Sequence, residues 1–163
     1  MTDQSFLGEE FLTWLWFRRE TDGGDFELGA RTVEIVIDDF LAFAPSDDET
    51  EQTLRKGLPT RTVEARSALA AGRSVRSAKL LVSDGQQHWS LVLDGPTFHL
   101  RSVRQGNEED AESPRDRSVG RMAGFVEVHD IICGVYELFL RDRLRPDYLG
   151  TSGQAQAQWM ANA

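Results

Sequence analysis

Three short apolar alternations in a row constrain this chain most. Val75–Val82 and Trp89–Leu93 are joined by Ser83-Asp84-Gly85-Gln86, and a second turn at Asp94-Gly95-Pro96 leads into Thr97–Val103. Asp-Gly between two runs of period-two hydrophobicity is a hairpin signal, because the turn needs residues that tolerate positive φ. Two such turns in succession dictate an antiparallel meander. A meander exposes one face and buries the other, so something apolar must cover it.

The covers are legible on either side. Ser5 opens a helix to about Arg19, with Glu9 and Glu10 early and Arg18 and Arg19 late, the order that suits the helix dipole; Asp22-Gly23-Gly24 ends it. Its apolar side chains (Phe11, Leu12, Trp14, Leu15, Trp16, Phe17) extend around more than one face, which predicts burial on several sides or contact with a partner as well as the core. A second long helix is expected from about Val119 to Arg143, where Met122, Phe125, Ile132, Tyr136 and Phe139 form a stripe and Pro146 stops the run.

Between the first helix and the meander, Phe26–Leu28 and Val33–Ile37 alternate as strands. Asp38-Asp39 reads as a turn into a third strand at Phe40–Phe43, and Thr53–Lys56 as a fourth. Thr60 or Thr62 caps a short helix through Ala71, with Gly72 at its end. The expected class is α+β: antiparallel sheet with a β-meander, an N-terminal helix and a long C-terminal helix packed on the sheet. One domain is expected over residues 1–147, with a flexible connection at 105–118 and a mobile tail at 148–163.

Function is less legible. No phosphate-binding loop, dinucleotide fingerprint or nucleophile elbow occurs, so no enzyme, cofactor or metal is expected. His129 and Cys133 lie four apart on the long helix, an incomplete ligand set better read as part of its stripe. Asp47, Asp48, Glu49 and Glu51 lack the spacing of a calcium loop and read as solvated. No apolar run approaches the roughly 20 residues of a membrane span. The start of the chain has no secretory pattern and there is one cysteine, Cys133, so the cytoplasm is the expected compartment.

The net charge is −9, yet residues 53–79 carry seven basic and one acidic side chain. That basic centre, Arg55, Lys56, Arg61, Arg66, Arg73, Arg76 and Lys79, suggests phosphate contact; its alternative is a solvated face or pairing with the acidic first third. A separate expectation is a protein interface at Trp14 and Trp16 or at Trp159, since exposed aromatics anchor partners.

Val63-Glu64-Ala65-Arg66-Ser67-Ala68-Leu69-Ala70-Ala71-Gly72-Arg73-Ser74-Val75 resembles the helix and Gly-turn leading into a strand in the recombination-associated RdgC family. Ala78–Val82, Trp89–Leu93 and Phe98–Leu100 are similar to that family's meander. Phe6-Leu7-Gly8-Glu9-Glu10-Phe11-Leu12-Thr13-Trp14-Leu15-Trp16 resembles the helix that opens its C-terminal half. The resemblance spans residues 6–143 and implies a non-enzymatic binder of double-stranded DNA, indifferent to sequence, that dimerises and restrains strand exchange. The basic positions it carries over are Arg66, Arg73, Arg76 and Lys79. The alternative is a protein-interaction subunit that keeps the fold without binding DNA.

Overall fold

The computed structural model describes residues 5–45, 51–106 and 113–163, with side chains from Leu7 onward. Its elements follow in the order α1 (Ser5–Asp22), β1 (Asp25–Leu28), β2 (Arg31–Phe43), β3 (Gln52–Arg55), α2 (Val63–Ala70), β4 (Val75–Ser83), β5 (His88–Asp94), β6 (His99–Gln105), α3 (Pro114–Arg143) and α4 (Ser152–Ala161). The fold is α+β, as expected: a six-stranded antiparallel sheet whose β4-β5-β6 end is the meander, with an N-terminal helix and a long helix after the sheet. No helix among the described residues is long and apolar enough to cross a membrane.

The strands run β1-β2-β4-β5-β6, and β3 pairs with the far half of β2 beside β1's edge. Register explains the core. Ile35 faces Val82 and then Trp89; Ile37 faces Leu80 and then Leu91; Leu41 faces Ala78, Leu93 and finally Leu100. Partners across a ladder share a face, and all of these side chains are buried, so one side of the sheet is the core floor.

Helix α1 lies on that floor. Trp14 packs on Phe26 and Phe139, while Trp16 meets Phe43 and Trp159. The wide apolar surface of α1 is thus covered from three directions, by sheet, α3 and α4. Its close seat depends on two glycines. A Cβ on Gly8 would overlap the Gly95 carbonyl, and one on Gly95 would overlap Gly8, so backbone meets backbone at the β5–β6 turn.

Three boundaries differ from expectation. The Asp38-Asp39 turn does not form: β2 is one 13-residue strand with a register shift between Ile37 and Leu41. Lys79 Nζ on the adjacent β4 lies 2.9 Å from Asp38 Oδ2 and 3.1 Å from Asp39 Oδ1, which makes two carboxylates tolerable inside a sheet. Helix α3 begins at Pro114, inside the expected connection, because Ser113 caps it by accepting from Asp116 N at 3.1 Å. The rest of that connection, 107–112, and most of the acidic loop, 46–50, lie outside the described residues. Finally, residues 148–163, expected as a mobile tail, form a 3-10 turn (Tyr148–Gly150) and α4. Trp159 anchors α4 against Trp16 and Phe17, with ring centroids 5.6 Å apart in both pairs.

Candidate nucleic-acid interface

Among the described residues no helix covers the sheet's second face, where Leu81 is 40% exposed. Along it the register sets out rows of outward side chains: Val36–Leu81–Ser90–Arg104 across four strands, and Lys79–Val92–Arg101 across three. Apolar residues occupy the middle and arginines the β6 edge.

At one end the face deepens into a hollow of about 370 Å³, lined by Asp39, Phe40, Arg55, Lys56, Val92, Arg101 and Ser102. Three departures from regular strand shape it. The β2 bulge pushes Asp39 and Phe40 into it. Lys56 adopts φ of 70°, held by its N–H donating to Asp39 O at 2.8 Å. Ser102 adopts φ of 53° within the shift that separates the Ser90–Arg104 and Val92–Arg101 pairs. Left-handed φ is uncommon for residues with a Cβ, and two of the three described examples border this hollow.

Electrostatics sorts the cations here. Arg55 stacks over the Phe40 ring, 5.4 Å from its centroid, leaving its guanidinium edge open. Arg55, Lys56, Arg101 and Arg104 hold no ion pair with a described residue. Lys79 is different, because the bonds it donates to Asp38 and then Asp39 raise its pKa and hold its charge internally. Such a hollow suits an anion with several acceptor oxygens, such as a backbone phosphate.

The four basic residues expected to contact DNA do not share one surface. Arg66 belongs to the helical layer, where its guanidinium lies 5.5 Å from the Trp16 ring centroid and pairs with Glu20. Arg73 binds Ala44 O at 2.9 Å and Gln52 Oε1 at 3.0 Å, tying the start of β4 to β2 and β3. Arg76 lies 3.7 Å from Glu51 and 3.9 Å from Asp94. Lys79 projects onto the open face, in the row with Val92 and Arg101. Sequence reasoning placed Arg55 and Lys56 in the basic segment but did not carry them over as site residues, and it passed over Arg101 and Arg104. Their spacing of three in β6 would put them on opposite faces of a regular strand; the bulge at Ser102 returns both to one.

The expected aromatic interface needs correction. Trp14 and Trp16 are each 1% exposed and belong to the core. Trp159 is half-buried, its indole Nε1 donating to Glu20 Oε2 at 2.8 Å. Cys133 Sγ lies 3.8 Å from the His129 ring nitrogens, and burial, followed by Asp130 and Glu137, pushes its thiol pKa up. Among the described residues no three His, Cys, Asp or Glu side chains cluster as a metal site.

No family model, curated protein or solved structure matches this chain.

Proposed function

We propose that this chain is a non-catalytic, RdgC-like binding module that engages the phosphate backbone of double-stranded DNA without reading base sequence. The open sheet face would be its contact surface. One observation carries the reading: Arg55, Lys56 and Arg101 border a single hollow, and Arg104 continues the line along β6 with no ion pair to a described residue. Phosphate contacts need positive charge and reach, not base identity, so four such side chains would give sequence-indifferent and salt-sensitive binding. In a cell this role belongs on the nucleoid, in the cytoplasm.

The test is fluorescence anisotropy with random-sequence duplex DNA at low and then physiological salt. Four phosphate contacts predict a slope of log affinity against log salt of about −3.6. Arg101→Glu with Arg104→Glu should weaken binding at least about tenfold. Arg66→Glu, on the other layer, should weaken it much less. Equal losses from the two variants would sink the open face as the site.

A second reading is a protein-interaction subunit, favoured by the apolar middle of the same face, where Leu81 is 40% exposed beside Val36. Absence of DNA binding even at low salt would support it over the first.

A further inference from the structure

Away from the cationic hollow, the open face holds a second depression, of about 470 Å³, with lining residues from β2, β4, β5 and β6. Side-chain size explains it. Two rows of outward residues cross the sheet here, Glu34–Ser83–His88 and Val36–Leu81–Ser90–Arg104. Each places a serine between larger neighbours. Gly106 extends the first row past His88, its N–H donating to His88 O at 2.9 Å, and brings no side chain. Short residues thus make the floor, and Val36, Leu81, His88 and Arg104 stand around it.

The surface of this trough is mostly apolar, and its charges sort simply. Glu34 is already neutralised, since Arg19 Nη1 lies 2.6 Å from its Oε1. Arg104, at the β6 end, holds no ion pair with a described residue. An apolar floor closed at one end by an unpaired guanidinium suits a hydrocarbon body with a single anionic head, and the guanidinium fork matches a carboxylate. Size narrows the class. Four strands are separated by three spacings of about 4.8 Å, so the trough is roughly 14 Å long. Its volume falls in the range of small-ligand sites, about 300–1,000 Å³.

We propose that this trough binds a free medium-chain aliphatic carboxylate. The head sits on Arg104 at the β6 edge, and the chain runs over Ser90 and Leu81 towards Val36. The assignment is independent of DNA binding: it needs Arg104 and the apolar row, whereas Arg55, Lys56 and Arg101 border the other hollow.

The test is titration of the full chain with decanoate, followed by methyl and amide chemical shifts in NMR spectra. Val36 and Leu81 should shift saturably, with a Kd of about 1 mM or tighter. Octanoate should bind about fourfold weaker, because two methylenes half-buried in an open trough are lost. Arg104→Gln should weaken decanoate about tenfold and leave the uncharged decanol unchanged. Ser90→Phe fills the floor with a residue that strands favour, and should abolish binding while far-UV circular dichroism is kept. The proposal is overturned by any of three results: no saturable shift, shifts centred on Val119, Met122 and Val126 of α3, or full binding by Ser90→Phe. Equal losses of decanoate and decanol in Arg104→Gln would also overturn it, by removing the head group from the guanidinium.

Discussion

The Trp159 indole donates to the Glu20 carboxylate across 139 residues of sequence, at 2.8 Å. The same carboxylate accepts from Trp16 Nε1 at 2.9 Å and from both terminal nitrogens of Arg66. One side chain thereby joins α1, α2 and α4. Trp159→Phe keeps the ring and removes the donor, and should cost about 1 kcal/mol. Glu20→Gln strips a charge-assisted acceptor from the four donors of three side chains and should cost about 2 kcal/mol. Urea unfolding measures both; an unchanged midpoint for Trp159→Phe would mean the bond does not hold α4.

Acid should reach the same group. Burial pushes the Glu20 carboxyl up, but bonds from Arg66, Trp159 and Trp16 together outweigh it and hold the pKa below the ordinary carboxylate value. A depressed folded pKa contributes stability above the unfolded value of about 4.3, and that contribution is lost as pH falls through the folded one. Wild type should therefore lose more stability than Glu20→Gln between about pH 6 and pH 3. Parallel losses in urea midpoints would remove Glu20 from the acid response.

Two helical glycines should respond to alanine with opposite signs. Helix propensity alone favours alanine by about 1 kcal/mol. At Gly120 a Cβ meets nothing within 4 Å, so Gly120→Ala should gain most of that. At Gly8 the Cβ would overlap the Gly95 carbonyl and approach Pro96 N, both backbone groups that cannot swing aside. Overpacking costs about 1–3 kcal/mol, so Gly8→Ala should be net destabilising by thermal unfolding.

The cap of α2 offers a smaller, cleaner effect. Thr62 Oγ1 accepts from Ala65 N at 3.2 Å and donates to Pro59 O at 2.8 Å. Thr62→Ala should cost about 1 kcal/mol and Thr62→Ser much less. A Thr62→Ser loss equal to that of alanine would assign the effect to the lost methyl group.

The hollow yields a prediction of gained affinity. Asp39 borders it and shares Lys79 with Asp38. Asp39→Asn removes a negative charge from the rim and loosens one hold on Lys79. Duplex DNA should then bind about threefold to tenfold tighter at low salt, with the gain shrinking as salt screens it. Weaker binding would argue that phosphates do not enter there.

What the sequence disclosed was local. The meander was legible because Asp84-Gly85 and Asp94-Gly95 announce their turns, and the pair Thr60 and Thr62 announced α2, with Thr62 the one that caps it. Asp38-Asp39 misled because its neutralising partner, Lys79, sits on another strand. Helix α4 escaped notice because a polar helix with one anchoring indole is stabilised by a receptor distant in sequence. Arg101 and Arg104 were obscured for a backbone reason, since alternation assigns faces only where no bulge intervenes. The start of α3 was a different miss: Ser113-Pro114 with Asp116 is an N-terminal signature, outweighed by the polar composition around it.

The Glu20–Trp159 bond has a consequence for how the chain is made. Helix α1 is made ahead of the other elements of this fold, carrying Trp14 and Trp16, yet α3 and α4, which share in covering it, follow the whole sheet. At about 5–20 residues per second, the 139 residues between Glu20 and Trp159 take about 7–28 s to synthesise. For that interval the most aromatic segment of the protein waits for its lid.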